Sequence, residues 1–116
     1  MKEIKAIIQP FMAERVIAAL RAMESLPGLT ISDVRGFGRQ RARAKERSLD
    51  VPAVFGVDKI KLEMVVPDHL VTDVIETIQK HAHTGNPGDG KIFVIPVEDA
   101  VRIRTGDHEP GVRGRE

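Results

Sequence analysis

Apolar positions along the chain fall into periodic blocks separated by turn residues. From Glu3 to Gln9, the residues Ile4, Ala6, Ile7 and Ile8 predict a buried strand that ends at Pro10. Between Met12 and Leu26, Val16, Ile17, Leu20 and Met23 recur at helical spacing, and Pro27-Gly28 stops that helix. Leu29, Ile31 and Val34 alternate with polar neighbours as far as Arg35, which predicts a second strand leaving through Gly36-Phe37-Gly38. Lys59 to Val66 alternates most sharply, with Lys59, Lys61 and Glu63 on one side and Ile60, Leu62 and Met64 on the other. Pro67-Asp68 opens a second helix, with Asp68 as N-cap and Leu70, Val71, Val74, Ile75 and Ile78 as the apolar face. Lys91 to Val97 predicts a fourth strand, and Val101-Arg102-Ile103-Arg104 alternates as a short terminal strand would.

Strand-helix-strand, a long connection, then strand-helix-strand predicts an α+β fold, a ferredoxin-like double βαβ sandwich over residues 1–106. Two helices cover one face of the sheet. The other face is not strongly polar, since Met64, Val65 and Val66 run without a break, so association into an oligomer is expected. The connection, about residues 39–58, has no clean period. Arg39 to Arg47 is densely charged, and Val51-Pro52-Ala53-Val54-Phe55-Gly56 is apolar but broken. A structureless connection of that length inside a compact domain points to function or disorder, a short charged helix being the alternative. The end of the chain is Gly-rich and charged, and residues 107–116 are expected to form a mobile tail.

Composition narrows the function. The chain has 116 residues, 41% of them hydrophobic and 30% charged, with a net charge of +1. No strong electrostatic pull toward nucleic acid or an anionic membrane follows from that balance. Phe11, Phe37, Phe55 and Phe93 are the only aromatics, too few for a platform of stacked rings. The lack of cysteine excludes disulfides, thiolate metal sites and cysteine nucleophiles. No apolar run suits a secretory signal or a spanning helix, so a cytoplasmic protein without direct membrane insertion is expected.

Two glycine clusters are the candidates for chemistry. Gly36-Phe37-Gly38-Arg39-Gln40 leaves the second strand, and Gly85 to Lys91 precedes the fourth. Closely spaced glycines let backbone N–H groups approach a phosphate, which a nearby cation then neutralises. Lys91 follows Gly88-Asp89-Gly90 directly, and Arg102 and Arg104, two apart on a strand, would point the same way. Three convergent cations suit a polyphosphate, although glycine pairs also serve simply as turns. The pattern is not a Walker loop.

Four segments also resemble one family. Thr84-Gly85-Asn86-Pro87-Gly88-Asp89-Gly90-Lys91-Ile92-Phe93-Val94 is similar to the C-terminal signature of the PII nitrogen-regulatory signal-transduction proteins, and Val101-Arg102-Ile103-Arg104-Thr105-Gly106 to the motif that follows it there. Gly36-Phe37-Gly38-Arg39-Gln40 matches the family's segment before its long loop, and Ala6-Ile7-Ile8-Gln9-Pro10-Phe11 resembles the family's first strand. The resemblance implies a trimeric, non-enzymatic regulator with ATP or ADP in clefts between subunits and a flexible loop that controls a membrane transporter or metabolic enzyme. By position it implies that Gly36, Phe37, Gly38, Arg39 and Gln40 line the nucleotide, and that Ile8, Glu63 and Val65 surround the base. Gly88, Asp89, Gly90 and Lys91 would hold phosphates, and Gly28, Leu29, Thr30, Arg102 and Arg104 would complete the cleft, some from a neighbouring subunit. Gln40 would help hold Mg²⁺, and Lys59 would pair with 2-oxoglutarate chelating that metal. Taken alone, Lys59 also reads as a solvated charge and Glu63 as a cross-pair with a neighbouring lysine.

The chain departs from the family in its loop. It contains no tyrosine, so nucleotidylation of a loop tyrosine is impossible, and Pro52 stands at that position. Ala42 replaces a family glycine, and Asn86-Pro87 replaces a Lys-Ile pair, removing one cation from the phosphate side. Ser48 is the one loop hydroxyl and reads as solvated. The basic stem and apolar tip of the loop suit insertion into a pore or cleft of a partner such as an inner-membrane transporter. His69, His81 and His83 leave open a metal-responsive or metal-tolerance-associated protein of the same trimeric fold, although two histidines two apart do not share a helix face.

Overall fold

The computed structural model describes residues 1–37 and 56–109. The strands are β1 (Lys2–Ile8), β2 (Thr30–Gly36), β3 (Val57–Val66) and β4 (Gly90–Pro96), and the helices are α1 (Pro10–Arg21) and α2 (Val71–Ala82). The sheet runs in the order β2-β3-β1-β4, with every neighbouring pair antiparallel. Each helix therefore links two strands that are parallel and separated by a third. This is the expected ferredoxin-like arrangement.

The period-two pattern becomes two chemically different faces. Ile4, Ala6 and Ile8 of β1 are buried with Leu62, Met64 and Val66 of β3. Val16 and Leu20 of α1 and Val74 and Ile78 of α2 close over them, and all four are 0% exposed. On the opposite face, register aligns Phe93, Lys5, Glu63 and Thr30 in one row across the strands. The adjacent row holds Ile95, Glu3 and Val65. Phe93 is 43%, Val65 38% and Ile95 36% exposed, so this face carries uncovered apolar area.

The element boundaries differ from the sequence expectation at three points. Helix α1 stops at Arg21 rather than Leu26, because Met23 and Leu26 donate in turn to Leu20 O (3.0 Å) and Met23 O (3.1 Å). These tight turns fold both side chains against the core, and Pro27 disfavours helical backbone at Leu26. Asp68 does not cap a helix. It lies in a 3₁₀ turn, Asp68–Leu70, ahead of α2, and its carboxylate meets the Met1 amino group at 2.6 Å and Lys2 Nζ at 3.5 Å. Val101 to Arg104 is not a strand either. Val101 forms a single bridge with His108, and the chain turns between them, so Arg102 and Arg104 lose the strand geometry that was to align them. That hairpin carries the organised chain past the expected boundary at residue 106 to Glu109. Most of the expected 39–58 loop lies outside the described residues, and β3 begins at Val57.

Strand β4 depends on a close backbone approach. Gly90 has φ +111°, and a Cβ there would lie 1.8 Å from Ile7 O. Neither backbone can yield without parting β4 from β1. Gly90→Ala is expected to destabilise the fold by at least about 3 kcal/mol, read from denaturant midpoints.

Candidate functional site

The turn between α2 and β4 is held by one carboxylate. Asp89 Oδ2 accepts from Thr84 N–H at 2.8 Å and from Gly85 N–H at 2.9 Å, while Oδ1 accepts from the Thr84 hydroxyl. Asn86 N–H in turn donates to Thr84 Oγ1 at 3.1 Å. The Thr84 hydroxyl and amide, with the Gly85 amide and the nearby His83 ring, hold the Asp89 carboxyl below the usual carboxylate range. Asp89 thus shapes the loop, and the backbone of Gly88 and Gly90 and the side chain of Lys91 are what the loop presents.

Gly88 joins this loop to the base of the long connection. Lys59 Nζ donates to Gly88 O at 2.9 Å. A Cβ on Gly88, whose φ is +97°, would lie 2.9 Å from Gln9 Nε2. The end of β1, the start of β3 and the glycine loop therefore converge. Gly36 is paired with Val57 at the same end of the sheet, and exposed Phe37 follows it. Beside this corner, Lys59 and Arg35 line a cleft of about 700 Å³. Lys91 and Asp89 border a second one of about 330 Å³, whose floor includes Ile8.

Another group of expected residues lies elsewhere. Gly28, Leu29, Thr30, Glu63 and Val65 line a depression of about 470 Å³ toward the other end of β2. Lys61 Nζ lies 3.7 Å from Glu63 Oε1, the cross-pair that the alternation suggested. Ile8 does not join Glu63 and Val65 within one chain: it is 2% exposed beneath the helices, and register places them on the opposite face. The two groups stand at opposite ends of β2, which is seven residues long and so separates them by roughly 20 Å.

Arg102 and Arg104 sit on the terminal hairpin. Arg102 Nε lies 3.3 Å from Glu109 Oε1, and Arg104 is exposed on the turn. Gly38, Arg39 and Gln40, with the Mg²⁺ role expected of Gln40, lie outside the described residues. His81 Nδ1 lies 2.9 Å from Thr77 O, and His83 Nδ1 lies 3.9 Å from Asp89 Oδ2. No group of three or more metal-type side chains forms among the described residues. Sequence reasoning missed three partners at the glycine loop. Gln9 was legible only as the residue where β1 ends, Thr84 as a hydroxyl five residues before an aspartate, and the Lys59 bond to Gly88 had no local signal.

Comparisons with known proteins place the chain in a family. The family model for nitrogen regulatory protein P-II matches residues 1–107. A nitrogen regulatory protein P-II of Azospirillum brasilense is 47% identical over 107 residues, covering 92% of this chain and 95% of its own. One from Haemophilus influenzae is 49% identical over 110 residues, with the same coverage of 92% and 95%. Nitrogen regulatory protein P-II 1 of Escherichia coli is 45% identical over 112 residues, covering 94% of this chain and 96% of its own. The fold is that of a PII-type signal-transduction regulator. The chain belongs to the nitrogen regulatory protein P-II family.

The Asp89 network sets a pH window. Because the folded-state pKa is depressed, its contribution to loop stability is complete above the unfolded value near ~3.9 and disappears as pH falls through the lower folded value. The Thr84 and Gly85 amide resonances should hold their positions as pH passes through ~4, where ordinary aspartates protonate, and move only below it. In Asp89→Ala the same amides should exchange with solvent at least about tenfold faster.

Proposed function

We propose that this protein is a nucleotide-gated regulator that works as a homotrimer. ATP or ADP, with Mg²⁺, occupies clefts between subunits, and 2-oxoglutarate or another small anion binds beside Lys59. The segment of about residues 39–58 then controls a membrane transporter or metabolic enzyme. It does so without uridylylation, since the chain has no tyrosine. The reading gives the chain no catalytic residues; it signals through binding.

The observation that carries this reading is the separation of the two residue groups. The glycine loop with Gly88, Gly90 and Lys91 meets the start of β3 at one end of the sheet through the Lys59 bond to Gly88 O, so two cations, Lys59 and Lys91, stand there for a phosphate. Thr30, Glu63 and Val65 offer hydrogen-bonding groups and an apolar side chain suited to a base at the other. A ligand touching both kinds of group is served by one group from each of two chains. The exposed Phe93, Ile95 and Val65 on the open sheet face supply the apolar area that such an assembly would bury.

Calorimetric titration with ATP and ADP, with and without Mg²⁺, should give saturable binding, and its absence for both nucleotides would sink the proposal. Lys91→Ala should weaken ATP by about 10- to 100-fold, the range for losing a charge-assisted hydrogen bond to phosphate. Phe93→Lys places a charge on the open face opposite Lys5. Sedimentation should show that this variant no longer forms the trimer, and nucleotide binding should fall with it.

A further inference from the structure

A recess lies at the opposite edge of the sheet from β4, between the end of α1 and the start of β2. The local sequence makes it. Pro27 disfavours helical backbone at Leu26, and beyond Arg21 the chain folds into two tight turns that press Met23 and Leu26 against the core. Leu29 packs there from the other side of the turn. Ile31 follows on β2, opposite Leu62 in register and on the same side of the sheet. Yet Ile31 is 47% exposed where Leu62 is 0%, because β2 is the edge of the sheet.

These side chains and buried Leu20 wall a space of about 290 Å³. That is close to the lower limit of small-molecule sites, which are mostly apolar with a few polar groups. One charged side chain lines it, Arg21. Arg21 belongs to the last turn of α1, where a cation complements the helix dipole, but that role leaves the donor fork unused. Among the described residues no carboxylate pairs with it. An apolar space with one open guanidinium beside it selects its occupant by charge. A single carboxylate satisfies the planar fork. A polyphosphate or dicarboxylate would leave further charge against leucine and isoleucine side chains without a partner, and an amine would meet a like charge.

We propose that this recess binds a small apolar monocarboxylate, its hydrocarbon part against Leu20, Met23, Leu26 and Ile31 and its carboxylate on Arg21. The site goes beyond the nucleotide reading and does not depend on it. Of its lining, only Gly28 and Leu29 also border the depression beside Thr30 and Glu63. A ligand seated here joins the end of α1 to the strand that leads to Gly36 and the long connection.

Hexanoate is a suitable probe. Titrated into the full chain, it should shift the NMR resonances of Arg21, Met23, Leu26 and Ile31 and saturate at roughly millimolar concentration, as a ligand of so few atoms does. Hexylamine, which reverses the charge, and succinate, which replaces the tail with a second carboxylate, should bind at least about tenfold more weakly. Arg21→Gln should lose about tenfold in hexanoate affinity, the loss of one charge-assisted hydrogen bond, and Arg21→Lys should keep part of it. Ile31→Glu, a change at an exposed position, should abolish binding by giving Arg21 a carboxylate of its own. No saturable shift at these residues in wild type overturns the proposal. So does hexylamine binding as tightly as hexanoate, or full hexanoate affinity in Arg21→Gln. The ATP titration of wild type reports on the nucleotide reading separately, so the failure of one is distinguishable from the failure of the other.

Discussion

The approach of Gly90 to β1 is the contact on which the glycine-loop end of the sheet depends. With Ile7 O standing where a Cβ would be, only glycine lets β4 begin against Ile8. That start fixes the parity of the strand. Lys91 and Phe93 then fall on the open face, and Ile92 packs toward the core beside Ala6. The preceding loop must arrive in a left-handed conformation, at Gly88 as well, and Asp89 stabilises it by accepting from Thr84 and Gly85. One close backbone contact therefore places the glycine loop, the lysine beside it and the Lys59 bond that ties the loop to β3.

Much of this was legible in the chain because alternation and burial coincide. Lys59 to Val66 reads as a half-buried strand, and Leu62, Met64 and Val66 are indeed the buried members. The glycine loop was legible because few sequences concentrate residues that tolerate positive φ unless the backbone needs them. The hairpin after β4 was not legible. Four alternating residues, Val101 to Arg104, carry less information than the Thr105-Gly106-Asp107 turn that follows them, and Gly106, with φ +77°, lets the chain reverse. Asp68 misled for a related reason. A residue suited to capping was drawn instead to the Met1 ammonium group 67 residues away, which no local pattern announces.

Contacts at long sequence separation explain the remaining gaps. Lys59 and Gly88 stand 29 residues apart, and their bond depends on β3 and β4 flanking β1 in register. Family resemblance named both residues, yet only the fold shows that they touch. It also shows that Glu63 and Val65 stand away from Ile8, so residues that a motif alignment groups together belong to opposite faces of one sheet.

That separation has a thermodynamic consequence on the proposed reading. If a nucleotide is held by one group of residues from each of two chains, then ligand binding and assembly are linked, and each strengthens the other by the same free energy. The apolar open face, not the ligand, then supplies most of the association energy, because a shared phosphate site is polar and partly wet. The ligand's contribution falls instead on the segments at the glycine end of the sheet: the glycine loop and the start of β3 beside Lys59. These are parts of the fold held by surface hydrogen bonds rather than by the core. A modest binding energy can rearrange them while leaving the sandwich intact, which is the mechanical requirement for a protein that reports what it binds.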